Sequence, residues 1–444
     1  MFLQKIFIKN SFVNLLIMLI PVNFIAGNLL LNLNILILIL YVFLLHRLDI
    51  FKIKITTIDK LILIFFSYIF LNGILNNFFN FDFVKAPPNL ILIKSLSYFR
   101  FLILYFVLRF LIERNMINYK FIFLSFSALS LFVSFDIIIQ YVFEKDLFGY
   151  GVSGLKRRLA GPFGDEYIAG SFIQRFFIFV PFSILIFLKI EKNWLFNIIL
   201  FLAYAFCAAG ILLAGNRIPF VLFVMTLFLI QIFEKSLRKN LIIFFLISSF
   251  ILTIVLNLND NIRFHYAGFI TKGVAVTSYL KNRLNVFSYQ EIDIIPNTYI
   301  KEMETGILTW QQNKVFGGGI KSFYYNCTKI ESLAMNKYGG TNCNTHPHNY
   351  YLQIASELGL IGLLLVSLIF LTILVTAIKA VFYSKDLFVK HSLFLPFFIV
   401  FLMEIFPFKT TGSFFTSGNA TFLFFVIAFI VGLESLNKKK NDKR

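Results

Sequence analysis

Long apolar runs separated by short polar segments dominate the hydrophobic pattern of this 444-residue chain. A helical run of about 17–25 apolar residues is long enough to cross a hydrocarbon core roughly 30 Å thick. The pattern therefore predicts an all-α integral membrane protein with about twelve transmembrane helices. The predicted spans are residues 11–27, 29–45, 60–77, 95–112, 121–143, 171–188, 195–214, 218–233, 241–257, 350–377, 392–408 and 415–435.

One polar segment, residues 258–349, is much longer than the other connections and precedes the tenth predicted span. It divides the chain into four regions. We expect a nine-helix transmembrane segment at 1–257, a long loop at 258–349, a three-helix transmembrane segment at 350–435 and a basic tail at 436–444.

The long loop has helical patterns of its own. Between Thr298 and Asn313, apolar residues recur at helical spacing, which predicts an amphipathic helix lying on the membrane or over a cavity. Its apolar positions are Ile300, Met303, Ile307 and Trp310. A second helix is predicted at 279–290. The glycines of "FGGGIKSF" permit either a flexible hinge or a close approach of backbone to a ligand.

The composition agrees with the membrane prediction, since 59% of the residues are hydrophobic and 14% are charged. The mean hydropathy is +0.81. Lys5 and Lys9 precede the first apolar run, as basic residues do in secretory signals. No clear small-residue cleavage site follows, so we expect a retained first helix.

The basic residues predict the orientation, because short cytoplasmic loops are enriched in Lys and Arg. With a cytoplasmic N-terminus every inside segment is basic, and the tail reads "NKKKNDKR". We therefore expect both termini in the cytoplasm and the long loop on the outer side of the membrane. The net charge of +19 fits anchoring to anionic membrane lipids, and no nucleic-acid partner is expected.

Two of the three cysteines, Cys327 and Cys343, lie in the long loop, and Cys207 lies within a span. On the oxidising side of a bacterial membrane the loop cysteines are expected to form a disulfide. Such a bond would hold the chain just before His346 and His348. The alternative is a pair of free thiols.

The segment "CNTHPHNYYLQIASELGLIG", residues 343–362, contains two of the five histidines. Thr345 and Pro347 are typical of a helix start, with Thr345 as N-cap and His348 at the third helical position. The positive end of the helix dipole disfavours a second proton on the His348 imidazole. A neutral imidazole can act as a general base near pH 7.

One face of this predicted helix carries mostly small residues and is expected to pack closely against a neighbouring helix. Its members are His348, Leu352, Ala355, Gly359 and Gly362. Glu357 lies about half a turn away, and we expect it to make a structural hydrogen bond. Two alternatives stay open for the histidines: a zinc site completed by Asp165, Glu166 or the cysteines, and polar capping of a helix at the membrane surface.

The spacing of His348 and Asn349, nine residues and then Gly359-x-x-Gly362 is similar to the signature of the O-antigen ligase and O-antigen polymerase superfamily. These membrane glycosyltransferases have about twelve spans and a long periplasmic loop before the histidine helix. The resemblance covers this topology over the whole chain. It also covers three motifs, "RRLAGPFGDEYIAG", "AGNRIPF" and "GGGIKSFYYNC…CNTHPHNYYLQ".

This resemblance implies transfer of a glycan from undecaprenyl pyrophosphate to a sugar hydroxyl of the lipid A core, with inversion and without a metal or other cofactor. It implies His348 as the base on the acceptor and Arg217 as a pyrophosphate-binding arginine. Tyr299 stands where many members carry a second basic residue, so the second pyrophosphate contact is open. The other candidate substrate-binding residues are His346, Asn349, Asp165, Glu166, Arg157, Arg158, Arg283 and Lys321.

Two other functions are compatible with the sequence. An O-antigen polymerase would use the same donor class with a lipid-linked glycan as acceptor, and only the shape of the cavity separates it from a ligase. A lipid or solute transporter would concentrate charged residues near the bilayer midplane. The polar residues of this chain concentrate instead at the predicted outside face, which favours chemistry there.

Overall fold

The apolar runs of the sequence form helices in the computed structural model. The structure describes residues 11–78, 86–87, 89–152, 158–188, 194–258, 260, 263, 267–268, 271, 273–278, 298–331, 342–382, 391–410 and 412–441. The helices used below are α1 (11–18), α2 (Ile20–Ala26), α3 (Asn28–His46), α4 (Thr57–Phe78), α5 (Leu90–Glu113), α6 (Tyr119–Phe143), α7 (Ala169–Phe176), α8 (Phe179–Ile186), α9 (Trp194–Leu213), α10 (Arg217–Phe233), α11 (Arg238–Leu258), α12 (Thr298–Gln312), α13 (Phe323–Glu331), α14 (Tyr350–Phe382), α15 (His391–Glu404) and α16 (Ser417–Asn441).

The all-α prediction is confirmed, and every predicted span coincides with helix. Nine helical segments of the described chain are long and apolar enough to cross a membrane. The other three predicted spans are shorter: Arg217–Phe233 and Ser392–Glu404 are apolar helices of fewer than 18 residues, and the first span is divided at Leu19. Pro21 follows that break and lacks a backbone N–H, so it interrupts the hydrogen bonding of a continuous helix.

Helix α16 lies at the centre of the bundle and packs along α5. In its apolar window 94% of the residues are buried, against 12% for α11 at the periphery. Aromatic rings fill the space around α16, for example the stacked pair Phe397 and Phe429. The core that positions the outer loops is therefore built around α16 and α5.

A buried ion cluster marks one end of α5. The guanidinium of Arg109 is fully buried between the carboxylates of Asp59 and Glu113, and the hydroxyl of Tyr105 also donates to Asp59. Buried charges are stable only when they are paired in this way. Lys94 lies four helical turns away toward the opposite end of α5.

The segment around Gly317–Gly319, called the glycine segment below, packs into a break in α14. Gly359 has φ +66° and divides the helix, and backbone groups of the glycine segment bond to the carbonyls exposed there. Gly318 and Gly319 donate to the carbonyls of Ser356 and Glu357 at 3.1 and 2.7 Å, and Leu360 donates to the carbonyl of Lys314 at 2.8 Å. The three glycines thus serve backbone-to-backbone packing within the protein.

This packing corrects the predicted role of Gly359. An added Cβ at Gly359 would overlap the carbonyl of Val315, and at Gly362 it would overlap Leu358 of the same helix. The prediction that Gly359 packs against a neighbouring helix is therefore wrong. Gly359 instead allows the backbone of the glycine segment to approach α14.

We expect Gly359→Ala to lower the stability of the protein by about 2 kcal/mol or more, because alanine is strained at positive φ and its Cβ overlaps a backbone carbonyl. Thermal unfolding in detergent should show a lower midpoint. Gly151→Ala is the matched control, since a Cβ there meets nothing within 4 Å. Equal midpoints for the two variants would contradict this account of the break.

The helix predicted at Thr298–Asn313 is observed as α12, but its buried face differs from the prediction. Its most buried side chains include Glu302, Thr305 and Thr309, whereas the predicted apolar stripe is only half-buried beyond Ile300. Gly306 of α12 approaches Pro347 and Leu352. Residues 342–349, which carry His346 and His348, are called the histidine segment below. Helix α12 therefore covers the histidine segment with polar groups. The helix predicted at 279–290 lies outside the described residues.

Candidate functional site

His348 lies just before α14, at φ +49°. Asn349 caps the helix, because its side-chain oxygen accepts hydrogen bonds from the N–H groups of Tyr351 and Leu352 at 3.0 and 3.1 Å. The predicted cap at Thr345 and the predicted helical position of His348 are therefore wrong. Asn is among the strongest N-cap residues, and here it directly precedes the first helical residue. A non-glycine residue at positive φ is uncommon and is often held so at a functional site.

The imidazole of His348 faces a carboxylate of the long loop. Its Nε2 lies 3.9 Å from Oε1 of Glu302, and the His348 side chain is 33% exposed. The side chain of Asn344 donates to the same carboxylate oxygen at 3.1 Å. Burial raises the pKa of Glu302 to about 7 and lowers the pKa of His348. The Glu302 carboxylate therefore titrates near neutral pH, and burial favours the neutral form of the His348 imidazole.

His346 packs against His348 with ring centroids 4.3 Å apart. Its Nδ1 lies 3.0 Å from the hydroxyl of Thr345. Burial, the neighbouring His348 and the positive charge of Lys321 all lower the pKa of His346, to about 4. His346 is therefore neutral at physiological pH, and its Nε2 is buried without a hydrogen-bond partner among the described residues.

Three contacts hold the histidine segment on the long loop. Cys327 and Cys343 form a disulfide with Cα atoms 5.6 Å apart, which ties α13 to the segment. The backbone N–H of Asn342 donates to the hydroxyl of Thr305 at 2.9 Å. Pro347 rests on Gly306 of α12. The sequence segment before α14 is thereby fixed, although it is not helical.

On its other side the segment contacts the connection between α15 and α16. The side-chain amide of Asn349 donates to the carbonyl of Pro407 at 2.7 Å, and the Tyr351 hydroxyl donates to the carbonyl of Ile405. Asn349 thus fixes both the helix start and the neighbouring connection. Its observed contacts are with the protein itself.

A second buried ion cluster lies beneath this connection. Glu404 accepts two hydrogen bonds from Arg175, at 2.8 and 3.0 Å, and one from Lys409, at 2.6 Å. Lys409 Nζ lies 5.3 Å from the ring centroid of Tyr350, the first residue of α14. This cluster of Arg175, Glu404 and Lys409 was not predicted from the sequence. Ionisable residues inside apolar runs are the signal that could have found them.

Glu357 makes the structural hydrogen bonds that its position predicted. Its Oε2 accepts from the backbone N–H of Lys321 at 2.8 Å, and its Oε1 accepts from Gln353 at 3.1 Å. Glu357 therefore holds the turn that carries Lys321 against α14.

Arg217 lies at the same end of the bundle as His348. Helices α10 and α15 run antiparallel, because Ser392 at the start of α15 donates to Glu234 at the end of α10. The start of α10 therefore lies beside the end of α15, near Glu404. Asn216, next to Arg217, binds the backbone of Tyr167 and Gly170 at 3.0 and 3.1 Å. The described contacts do not join Arg217 directly to His348.

Three other predicted site residues are exposed and lie in the connection before α7, which Asn216 contacts at Tyr167. They are Arg158, Asp165 and Glu166. Glu166 and Arg175 line a cavity of about 380 Å³. Neither Asp165 nor Glu166 caps the helix that follows, because α7 starts at Ala169 without a side-chain cap. Arg157 and Arg283 lie outside the described residues.

The described residues offer no ready-made metal site. Within them, no group of three or more His, Cys, Asp and Glu side chains is arranged to hold a metal ion. The described arrangement is instead suited to proton transfer, with an imidazole facing a carboxylate and basic residues at the same end of the bundle.

The comparisons with known proteins address the region that carries this site. Residues 202–367 match the family model described as O-antigen ligase. The matched range includes Arg217, α12 and the histidine segment, and it ends within α14. The comparison with curated proteins gave no significant match. The family match confirms the resemblance of this multi-pass membrane protein to the O-antigen ligase and O-antigen polymerase superfamily, which implies a glycosyltransferase-type enzyme acting on lipid-linked glycans.

Proposed function

We propose that the protein transfers a glycan from undecaprenyl pyrophosphate to a sugar hydroxyl of the lipid A core, with His348 as the general base. The observation that carries this proposal is the His348–Glu302 pair, 3.9 Å apart, within a segment that matches the O-antigen ligase family. The site faces the periplasm of a bacterial inner membrane, and both termini are cytoplasmic.

The chemical step needs one base and one stabilised leaving group. Nε2 of His348 takes the proton of the acceptor hydroxyl, and the hydroxyl oxygen forms a bond to the anomeric carbon of the donor. The bond from that carbon to the pyrophosphate oxygen breaks, and the electron pair leaves with undecaprenyl pyrophosphate. Attack opposite the leaving group inverts the anomeric carbon, and the proposal involves no metal ion.

Glu302 supports the base in this proposal. As His348 takes the proton it becomes a cation, and an ionised carboxylate 3.9 Å away stabilises that cation. His348 itself is neutral before the step, because burial keeps its pKa below the ordinary value. Glu302 acts through His348 and is a positioning residue.

The leaving pyrophosphate requires positive charge. Arg217 at the start of α10 is proposed to bind it, since a guanidinium forms two parallel hydrogen bonds with phosphate oxygens and stays charged. Lys321 and Arg158 are the described candidates for the second contact, and Arg157 and Arg283 are candidates outside the described residues. His346, Asn349, Asp165 and Glu166 remain proposals for the acceptor side.

We expect Glu302→Gln to lower the transfer rate about 10- to 100-fold and to change its pH dependence. Glu302 has a pKa of about 7, so its negative charge is present above that pH and is lost as the pH falls through it. Wild-type activity should therefore decline as the pH falls through about 7. The Gln variant should lack this decline, and rates measured between pH 5.5 and 8.5 test the difference.

Glu304→Gln is the matched control for this variant, because Glu304 is also buried in α12 and, two residues after Glu302, it lies on a different face of that helix. It should keep the wild-type pH profile. A Glu302→Gln enzyme with the wild-type rate and the wild-type decline would remove Glu302 from the proposal.

Cells that lack their own O-antigen ligase provide a direct test of the proposed function. Expression of this protein should convert accumulated lipid-linked glycan into glycan attached to the lipid A core, seen as a ladder on gels of lipopolysaccharide. Longer lipid-linked chains with an unmodified core would indicate the polymerase instead. An unmodified core together with an unchanged pool of lipid-linked glycan would contradict both forms of the proposal.

A further inference from the structure

A small basic cavity lies beside the candidate active site. Its volume is about 280 Å³, and it is bounded by the start of α5, the start of α16 and the turn after the glycine segment. Its lining includes the basic and hydroxyl-bearing residues Lys94, Ser97, Arg100, Lys321, Thr416 and Ser417. We call this cavity the basic pocket.

The charge of the basic pocket distinguishes it from the other buried basic groups. Arg109 is paired with Asp59 and Glu113, and Arg175 is paired with Glu404. The residues described as lining the basic pocket include three cations and no carboxylate. The buried carboxylate of Glu357 interacts with Lys321 from outside this lining, so the cavity carries an excess of positive charge. Such an excess attracts an anion.

Arg100 is held in place by neutral groups. Its guanidinium donates to the carbonyl of Ser97 at 2.7 Å and to the hydroxyl of Ser417 at 3.0 Å. Its Nε is buried and has no hydrogen-bond partner among the described residues. These contacts fix the orientation of the guanidinium without neutralising its charge, as an anion-binding arginine requires.

The opposite wall contributes groups that suit phosphate oxygens. Thr416 and Ser417 supply hydroxyls at the start of α16, a helix of 25 residues. The first N–H groups of a helix and its dipole both favour negative charge at this position. A phosphate group could thus contact ammonium, guanidinium and hydroxyl groups at once.

The basic pocket is joined to the histidine segment through α14. The backbone of Lys321 binds Glu357 at 2.8 Å, and Gln353, one turn earlier, binds Glu357 and the hydroxyl of Ser413. Gln353 also accepts from the N–H of Phe414, next to Phe415 in the wall of the pocket. After burial and the neighbouring His348, the positive charge of Lys321 also contributes to the lowered pKa of His346. The charge of Lys321 therefore acts on the histidine segment.

We propose that the basic pocket binds a phosphate group of a lipid substrate, with Lys94, Arg100 and Lys321 as its cationic contacts. This inference rests on the proposed function for the nature of the substrates. The phosphate belongs either to the pyrophosphate of the glycan donor or to a phosphorylated lipid A core, which share the same chemistry.

Binding to purified protein tests the inference without requiring transfer. Native mass spectrometry would measure the affinity of undecaprenyl pyrophosphate, and of lipid A core with and without its phosphates, with undecaprenol as the phosphate-free control. We expect Lys94→Gln and Lys321→Gln each to weaken binding of one phosphorylated lipid about tenfold. Both variants keep the backbone contacts that hold the pocket together. Arg114→Gln, an exposed arginine at the other end of α5, should bind as the wild type does.

The outcomes separate the two sources of phosphate. Weaker binding of undecaprenyl pyrophosphate alone assigns the pocket to the donor, and weaker binding of the phosphorylated core alone assigns it to the acceptor. The inference would be overturned if both variants bound both phosphorylated lipids as the wild type does. It would also be overturned if the wild type bound the phosphate-free lipids as tightly as the phosphorylated ones. If the two variants weakened binding of a phosphorylated lipid but the wild type transferred no glycan, the inference would stand and the proposed function would be contradicted.

Discussion

His348→Ala should lower glycan transfer by about 100-fold or more while the protein remains at its normal level in the membrane. The reason is the loss of the only group proposed to take the proton of the acceptor hydroxyl, and a positioned general base contributes about 10²–10⁴ in rate. His348 lies outside α14, and the capping bonds of Asn349 do not involve its side chain. Initial rates of purified variants and their abundance in membranes are the measurements.

His46→Ala is the matched control for the His348 variant. His46 ends α3 and packs on Phe110, far along the chain from the site, so its removal should leave the transfer rate unchanged. A His348→Ala enzyme that transfers glycan at the wild-type rate would show that another group is the base.

Arg217→Ala should lower transfer by about 100-fold or more, because removal of one preorganised donor to a developing negative charge has an effect of that size. Arg217→Lys should fall between this variant and the wild type, since it keeps the charge and loses the planar pair of donors. Rates at saturating donor would show whether the loss lies in the chemical step. A further loss of rate at low donor concentration would show weaker binding of the donor.

Arg114→Ala serves as the control for charge removal, because Arg114 is exposed at the end of α5 remote from Lys94. It should transfer glycan normally. If Arg217→Ala were as active as Arg114→Ala, the leaving pyrophosphate would have to be bound by other residues, with Lys321 and Arg158 as the described candidates.

The helical architecture was predictable because apolar length alone determines whether a segment can cross a membrane. Two of the three spans that differ do so for local reasons. Helix α10 is confined between Arg217 and Glu234, and the first span is broken ahead of Pro21. Hydropathy averaged over a window does not resolve such breaks.

The start of α14 shows why the details of the site were harder to predict. Thr345, Pro347 and Asn349 are all favourable near a helix start, and sequence preferences alone do not choose among them. The disulfide of Cys343, the contact of Pro347 with Gly306 and the bond of Asn349 to Pro407 select the last of the three. These are contacts between segments distant in the chain.

The same limit explains why Glu302 was not identified as the partner of His348. The helical pattern of α12 placed Glu302 among its polar positions, and polar positions usually face solvent. In the structure α12 lies over other polar groups, so Glu302 is buried beside Asn344 and His348. The pairing of Glu404 with Arg175 and Lys409 was likewise invisible, because its members come from separate helices and connections.

The most direct test of the account uses purified protein with a synthetic undecaprenyl-pyrophosphate glycan and lipid A core, incubated separately and together in the presence of EDTA. Mass spectrometry of the lipids reads the products. The account predicts a single glycan attached to the core, formed only when both substrates are present and lost in His348→Ala. Donor consumed into longer lipid-linked chains without core, or no product from either incubation, would contradict it.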